Sequence, residues 1–203
     1  MKIILHGPPA CGKGSQGQKL SEYLHIPLIS TGALLRNLSQ SHPRYAENKK
    51  IMGAGDLSPD DLVADVLRDA IEKLDTSNGY ILDGYGRNLT QLKLYEPPVD
   101  AAIYINIPEE ETLRRITGRR MCAADGKIYN IFTLPPEELS KCVGPMTQRD
   151  DDKEEVVKER LKVYKESTFP VVEYYKAKGI LTEVNGTGTP EEVFELIKQA
   201  LKI

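Results

Sequence analysis

Gly7, Gly12, Lys13 and Ser15 stand in the order G-x4-G-K-G-S within the stretch KIILHGPPACGKGSQGQKLSEYL. This is the spacing of a loop that cradles phosphate, with one glycine inserted between the lysine and the hydroxyl residue. Residues without side chains let successive backbone N–H groups point at an anion, and a following helix adds the partial positive charge of its N-terminus. Lys13 then reaches a terminal phosphate. Such a loop must lie between a strand and a helix. Ile3, Ile4 and Leu5 form the short apolar run of a buried strand, and Leu20 and Leu24 recur at helical spacing after Gly12. An ordinary Gly/Pro-rich turn is the alternative, and those flanks argue against it.

The remaining elements must bring other groups to the same place. Read coarsely, the chain alternates: strand IILH, a helix to about Leu24, strand PLIS, a helix through Leu34 and Leu35, and a polar segment to Leu57. A helix over DDLVADVLRDAIEKL, strand YILD, a short helix after Asn88, strand AAIYINI and helix EEETLRRITGRR follow. From Met121 the rhythm breaks into a flap with turn signals at Gly126 and Pro135-Pro136. It resumes with a long helix from about Asp152 to Lys178, strand ILTEV and a last helix from Pro190. This is the grammar of an α/β protein, a parallel sheet flanked by helices. No internal repeat or low-complexity tract interrupts it.

At 203 residues and 40% hydrophobic, the chain can bury a full core as one domain with small excursions. It has no apolar run of membrane-spanning length and no basic-then-apolar leader pattern, so a cytoplasmic location is expected. The three cysteines, Cys11, Cys122 and Cys142, argue against a disulfide framework. A net charge of −3 gives no overall basic field for nucleic acid.

In a parallel sheet the ligand binds at the carboxyl ends of the strands. There lie the phosphate loop, then Ser30-Thr31-Gly32, then Asp83-Gly84-Tyr85-Gly86-Arg87. Asp83 is placed to hold the water shell of a Mg2+ ion on nucleotide phosphates; a helix cap or turn aspartate is the alternative. Arg36, Arg87, Arg115, Arg119, Arg149 and Arg160 fall at the edges of the surrounding elements, with Arg115 and Arg119 expected on one helix face. Guanidinium groups match phosphate oxygens two at a time and keep their charge.

Taken together the motifs resemble the adenylate kinases that carry a long lid. GPPACGKGSQ is similar to the phosphate loop of that family, STGALLR to its nucleoside-monophosphate segment, LDGYGRNLTQ to its central motif, GRR and TQRDDD to the hinges of its lid, and VNGT to the loop beside the ATP base. The resemblance covers residues 1 to about 195. It implies a P-loop NTPase-type, five-stranded parallel core (1–29, 60–118 and 153–203), a helical NMP-binding segment (30–59) and a small β-rich lid (119–152). The reaction implied is ATP + AMP to two ADP, reversible, with Mg2+, in a monomeric phosphotransferase of adenine nucleotide homeostasis.

The resemblance also implies roles. Ala10, Cys11, Gly12, Lys13, Gly14 and Ser15 would cradle the ATP phosphates, and Arg119, Ile128, Tyr129 and Gly188 would lie on ATP. Thr31, Arg36, the backbone of Asp56, Leu57 and Ser58, the run Gly84, Tyr85, Gly86, Arg87, and Gln91 would hold AMP, with Arg149 and Arg160 reaching phosphates. Lys13, Arg87, Arg119, Arg149, Arg160 and Asp83 would carry catalysis.

Several positions depart from the family pattern. Gly86 replaces a proline in Gly-Phe-Pro-Arg, so the loop aiming Arg87 is expected to be looser. Ala33 replaces an aspartate that would join the Mg2+ water shell, and Thr187-Gly188-Thr189-Pro190, which contains Gly188, is one residue longer than the family pattern. Some members staple the lid with zinc through two Cys-x2-Cys pairs. Here Cys122, Asp125 and Cys142 are only three candidate ligands where structural zinc takes four, so zinc is not expected. A Cys122–Cys142 disulfide is disfavoured by a cytoplasmic setting. A kinase of UMP or CMP, which Asn88 permits, and a non-catalytic nucleotide-binding protein remain as alternatives.

Overall fold

The computed structural model describes the whole chain apart from the side chains of Asp150, Glu154 and Glu155; Asp150, in the TQRDDD hinge, therefore lies outside the described side chains. The elements run β1 (Lys2–His6), α1 (Lys13–Leu24), β2 (Leu28–Ser30), α2 (Thr31–Arg36), α3 (Tyr45–Ala54), α4 (Asp60–Lys73), β3 (Tyr80–Asp83), α5 (Leu89–Leu94), β4 (Ala101–Asn106) and α6 (Glu109–Gly118). Then come β5 (Arg119–Cys122), β6 (Ile128–Asn130), α7 (Pro136–Leu139), β7 (Met146–Thr147), α8 (Glu154–Val163), α9 (Phe169–Ala177), β8 (Leu181–Asn185) and α10 (Pro190–Leu201).

Five strands form a parallel sheet in the order β2-β3-β1-β4-β8, the α/β core expected from the alternation. In register, Ile3 stands beside Ile81 and Ile4 beside Leu82. Because successive side chains point to opposite faces, the strands feed two cores. Ile3, Leu5, Ile81, Ile103 and Ile105 pack with Leu20 of α1 and Ile197 of α10. Ile4, Leu82 and Ala102 pack with Leu67 of α4 and Val171 and Tyr175 of α9 on the other face. Near-continuous apolar strands are what a sheet covered on both faces requires.

Two expectations change at the flap. Helix α6 ends at Gly118, and Arg119 opens β5 with extended backbone, so Arg115 and Arg119 do not share a helix face. Arg115 pairs instead with Glu111 at 2.7 Å, one turn earlier on its own helix. The flap is a small antiparallel sheet, β6-β5-β7. Within it Cys122 and Cys142 are joined by a disulfide, contrary to the expectation of free thiols. The pairing of β5 with β7 sets Cys122 opposite Met146 and leaves the two cysteine Cα atoms 5.8 Å apart, within the reach of a bridge. That bond takes two of the three candidate zinc ligands, and Asp125 is engaged by Lys127 N–H and the Tyr129 hydroxyl, each at 2.9 Å.

The expected long helix after the flap is α8 and α9 joined by a π-helical turn at Tyr164–Thr168. Pro170 lies in the first turn of α9, where a missing N–H interrupts regular α-helical bonding. Among the described residues no helix is long and apolar enough to cross a membrane.

Candidate active site

The phosphate loop joins β1 to α1. Gly7 lies where a Cβ would come 2.4 Å from the Ile105 carbonyl oxygen, so only glycine lets the loop leave β1 against β4. Lys13 is the first residue of α1, and its ammonium donates to the carbonyls of Gly7 at 2.8 Å and Pro8 at 2.9 Å. It thus folds across the loop it belongs to. Ser15 is exposed on the first turn of α1. Cys11 is buried with a free thiol.

Asp83 ends β3 and accepts from the Ser30 hydroxyl at 3.0 Å. A Cβ on Gly14 would lie 3.7 Å from the same carboxylate oxygen, which puts Asp83 against the phosphate loop. One carboxylate beside the loop suits a Mg2+ ion held mainly by phosphates and water, since such an ion needs few protein oxygens. Among the described residues no group of His, Cys, Asp and Glu forms a protein cage for a metal.

The next residue, Gly84, lines a second pocket together with Thr31, Arg36, Asp56, Leu57, Ser58, Arg87, Gln91 and Arg160. These come from α2, the turn before α4, the loop after β3, α5 and α8. Thr31 is 1% exposed, and its hydroxyl has no partner among the described residues. Arg87 is fixed at several points: its Nε donates to the Gly84 carbonyl at 3.0 Å, its N–H to Gln91 Oε1 at 2.9 Å, and its carbonyl accepts from Thr168 at 2.9 Å. Gly86, expected to loosen this loop, has a φ of 64°. Proline cannot adopt that angle, so the glycine is what this backbone path requires.

Tyr85 and Gly86 do not face the pocket. The Tyr85 ring is fully buried and its hydroxyl donates to the Gln91 carbonyl at 3.0 Å, so it braces α5 from behind. Asn88 caps α5: its Oδ1 accepts from Gln91 N–H at 2.8 Å, and its Nδ2 donates to Asp60 Oδ1 at 2.8 Å.

Positive charge is gathered around both pockets. Burial lowers the pKa of Arg87, with the charges of Arg160 and Arg119 adding to the effect against Asp83 and Asp151. Burial also lowers Arg36 and Arg160, and brings Arg149 down to about 10 with help from Arg119 and Arg36. Arg119 moves the other way: burial lowers it, but the hydrogen bonds and charge of Asp152 outweigh that. Partly desolvated guanidinium groups that repel one another gain most from a polyanion. Asp151 and Asp152 fall within TQRDDD, and their distance from Arg119 in sequence hides the pairing of Arg119 with Asp152.

On the flap, Ile128 is exposed whereas Tyr129 is turned inward, its hydroxyl on Asp125. Gly188 lies in the loop before α10, next to Glu192, and the start of α10 is tied to α1 by Gln16 Nε2 donating to the Pro190 carbonyl at 2.9 Å. Ala10 has a φ of 57° within the phosphate loop.

Comparison with known proteins adds an independent line. The family model described as adenylate kinase matches residues 5–180. An adenylate kinase of Thermosipho africanus is 42% identical, with 100% of this chain and 99% of that protein covered. Those of Archaeoglobus fulgidus (41%, 100% and 98% covered) and Clostridium botulinum (42%, 99% and 98% covered) are similarly alike. A phosphate loop facing an arginine-lined second pocket, a flanking three-stranded flap and this full-length similarity agree: the chain belongs to the adenylate kinase family.

Proposed function

We propose that this chain carries out the reaction of its family, reversible transfer of a phosphoryl group from ATP to AMP to give two ADP, with the ATP phosphates on the Ala10–Ser15 loop and AMP in the pocket of Thr31, Arg36, Arg87 and Gln91. The observation that carries the residue assignment is the adjacency of Asp83 and Gly84: consecutive residues, one against the phosphate loop and the other lining the second pocket. Two phosphate chains held on either side of that point would meet in line.

Transfer of this kind asks for positioning and charge neutralisation rather than a covalent nucleophile. Lys13 leaves the carbonyls of its own loop for the phosphates of ATP. Arg87, held by Gly84 and Gln91, orients the acceptor phosphate, and Arg119, Arg149 and Arg160 surround the group in transit. Asp83 and Ser15 would hold the water shell of a Mg2+ ion on the nucleotide phosphates, which would supply charge neutralisation there. Ala33 contributes no carboxylate there. Segments 30–59 and 119–152 close over AMP and ATP, excluding the water that would compete as acceptor.

The acceptor is read as adenine because Gln91 faces the pocket with a carboxamide, which offers both a donor and an acceptor. Asn88, which permits UMP or CMP, is engaged in capping α5 and bonding Asp60. A coupled assay of ADP formation from ATP with AMP, UMP, CMP and GMP tests the reading, and AMP should be preferred. Gln91→Leu should lower kcat/KM for AMP by roughly tenfold or more while sparing the KM for ATP. Equal rates with UMP or CMP, or unchanged AMP selectivity in the variant, would show a broader monophosphate pocket.

A further inference from the structure

Gln91 is 1% exposed, and both ends of its carboxamide are bonded to protein. Oε1 accepts from the Arg87 N–H at 2.9 Å, and Nε2 donates to Asp60 Oδ1 at 3.0 Å. The same Asp60 oxygen receives Asn88 Nδ2 at 2.8 Å, and Asn88 in turn caps the helix that carries Gln91. Turning the amide over would set Nε2 against the Arg87 N–H, donor to donor, and Oε1 against a carboxylate, acceptor to acceptor. A carboxamide has two donor hydrogens and two acceptor lone pairs. After these bonds one hydrogen and one lone pair remain for a ligand, and their order in space is set.

We propose that Asp60 is a positioning residue for base selectivity: by holding Gln91 in one of its two amide orientations, it makes the acceptor pocket take a 6-aminopurine monophosphate and reject a 6-oxopurine. The inference rests on the reading of Gln91 as the base contact. Adenine presents an N–H donor at its 6-amino group beside an acceptor at N1. Hypoxanthine and guanine present the reverse at the same two positions, a carbonyl acceptor beside an N1–H donor. A freely turning amide satisfies either edge, whereas an amide fixed from behind satisfies one and leaves the other with two mismatched contacts. Asp60 does not itself line the pocket, so its effect passes through Gln91.

The test compares wild type, Asp60→Ala and Asp60→Asn with AMP and with IMP as acceptors at fixed ATP. The decisive quantity is the ratio of kcat/KM for AMP to that for IMP, which does not depend on the fraction of enzyme folded. Asp60→Ala should lower this ratio by about tenfold or more, with a higher KM for AMP and an unchanged KM for ATP. Asp60→Asn keeps a carbonyl oxygen as acceptor and should retain most of the ratio. A wild-type ratio in Asp60→Ala overturns the proposal. So does a fall in Asp60→Asn as deep as in Asp60→Ala, which would assign the effect to charge rather than to the hydrogen bond. If the wild-type enzyme itself fails to prefer AMP over IMP, the reading of Gln91 as the base contact is what fails.

Discussion

Arg119 meets the carboxylate of Asp152 side on, Nε donating to Oδ2 at 2.7 Å and the terminal NH2 to Oδ1, and Arg160 donates to that same Oδ1 at 3.0 Å. Asp152 is 0% exposed, so one buried carboxylate ties the first residue of the flap to the helix that follows it. Removing it leaves two guanidinium groups in a poorly solvated place. Asp152→Ala should cost about 3 kcal/mol of stability. For a chain of this size that corresponds to a fall in melting temperature of roughly 10 °C. A thermal melt matching wild type would show that water replaces the carboxylate freely.

Lys13 offers a cleaner separation of chemistry from stability. Among the described residues its ammonium donates to the carbonyls of Gly7 and Pro8 and to the Cys11 sulfur at 3.4 Å, all within its own loop, and it has no part in either core. Lys13→Ala should therefore reduce kcat by at least about a hundredfold, as expected for loss of charge stabilisation at the moving group. Its melting temperature should stay close to wild type. Near-normal turnover in the variant would remove Lys13 from the mechanism.

His6 makes stability depend on pH. The ring ends β1, 3% exposed, with Nε2 unpartnered among the described residues. Burial, then the charges of Lys13 and Arg87, hold its pKa down at about 3. In the unfolded chain the group titrates near its ordinary value of about 6.5. The protonated form is the charged one, so as pH falls below about 6.5 the unfolded chain takes up the proton first and stability declines until about pH 3. Above about pH 7 the group has no such effect. Between pH 7 and 5 the wild type should lose about 2 kcal/mol more than His6→Leu, measured by urea denaturation. Parallel pH profiles of the two proteins would contradict this.

The flap bridge is open to direct count. Denatured without reductant, the protein should show one reactive thiol, Cys11, and three after reduction. Reduction releases a cross-link spanning 20 residues, and the chain-entropy argument bounds the loss at about 3 kcal/mol. Chelators should leave the melting temperature unchanged, because the bridge does the work that a metal would do. Three thiols before reduction, or stoichiometric zinc, would refute the bridge.

The central sheet was legible because IILH, YILD and AAIYIN are short apolar runs between helical periods, and the phosphate loop because its glycines have a backbone purpose. What the residues do not reveal depends on distant partners. GRR continues a good helical composition, and it is pairing with Tyr129 and Asn130 that turns Arg119 and Arg120 into strand. Asp60 reads as an ordinary acid in the first turn of a helix; its partners Asn88 and Gln91 lie 28 and 31 residues further along the chain. Cys122 and Cys142 gave two candidate thiols, but their meeting depends on how β5 and β7 align.

The π-helical turn at Tyr164–Thr168 has an angular consequence. One extra residue in a turn is an insertion, and each residue of an α-helix advances about 100° around its axis. The two helices it joins are therefore out of phase. Before the turn, α8 directs Arg160 into the pocket lined by Thr31, Arg36 and Gln91; after it, α9 directs Val171 and Tyr175 into the core beneath the sheet. Regular α-helical bonding through all the same residues would rotate one set by about 100° relative to the other, whereas deleting one residue would remove the wide turn and leave both sets facing as they do. A helix that kept all these residues in a uniform period could not serve the pocket and the core at once, so the wide turn acts as a gear between a charged face and an apolar one.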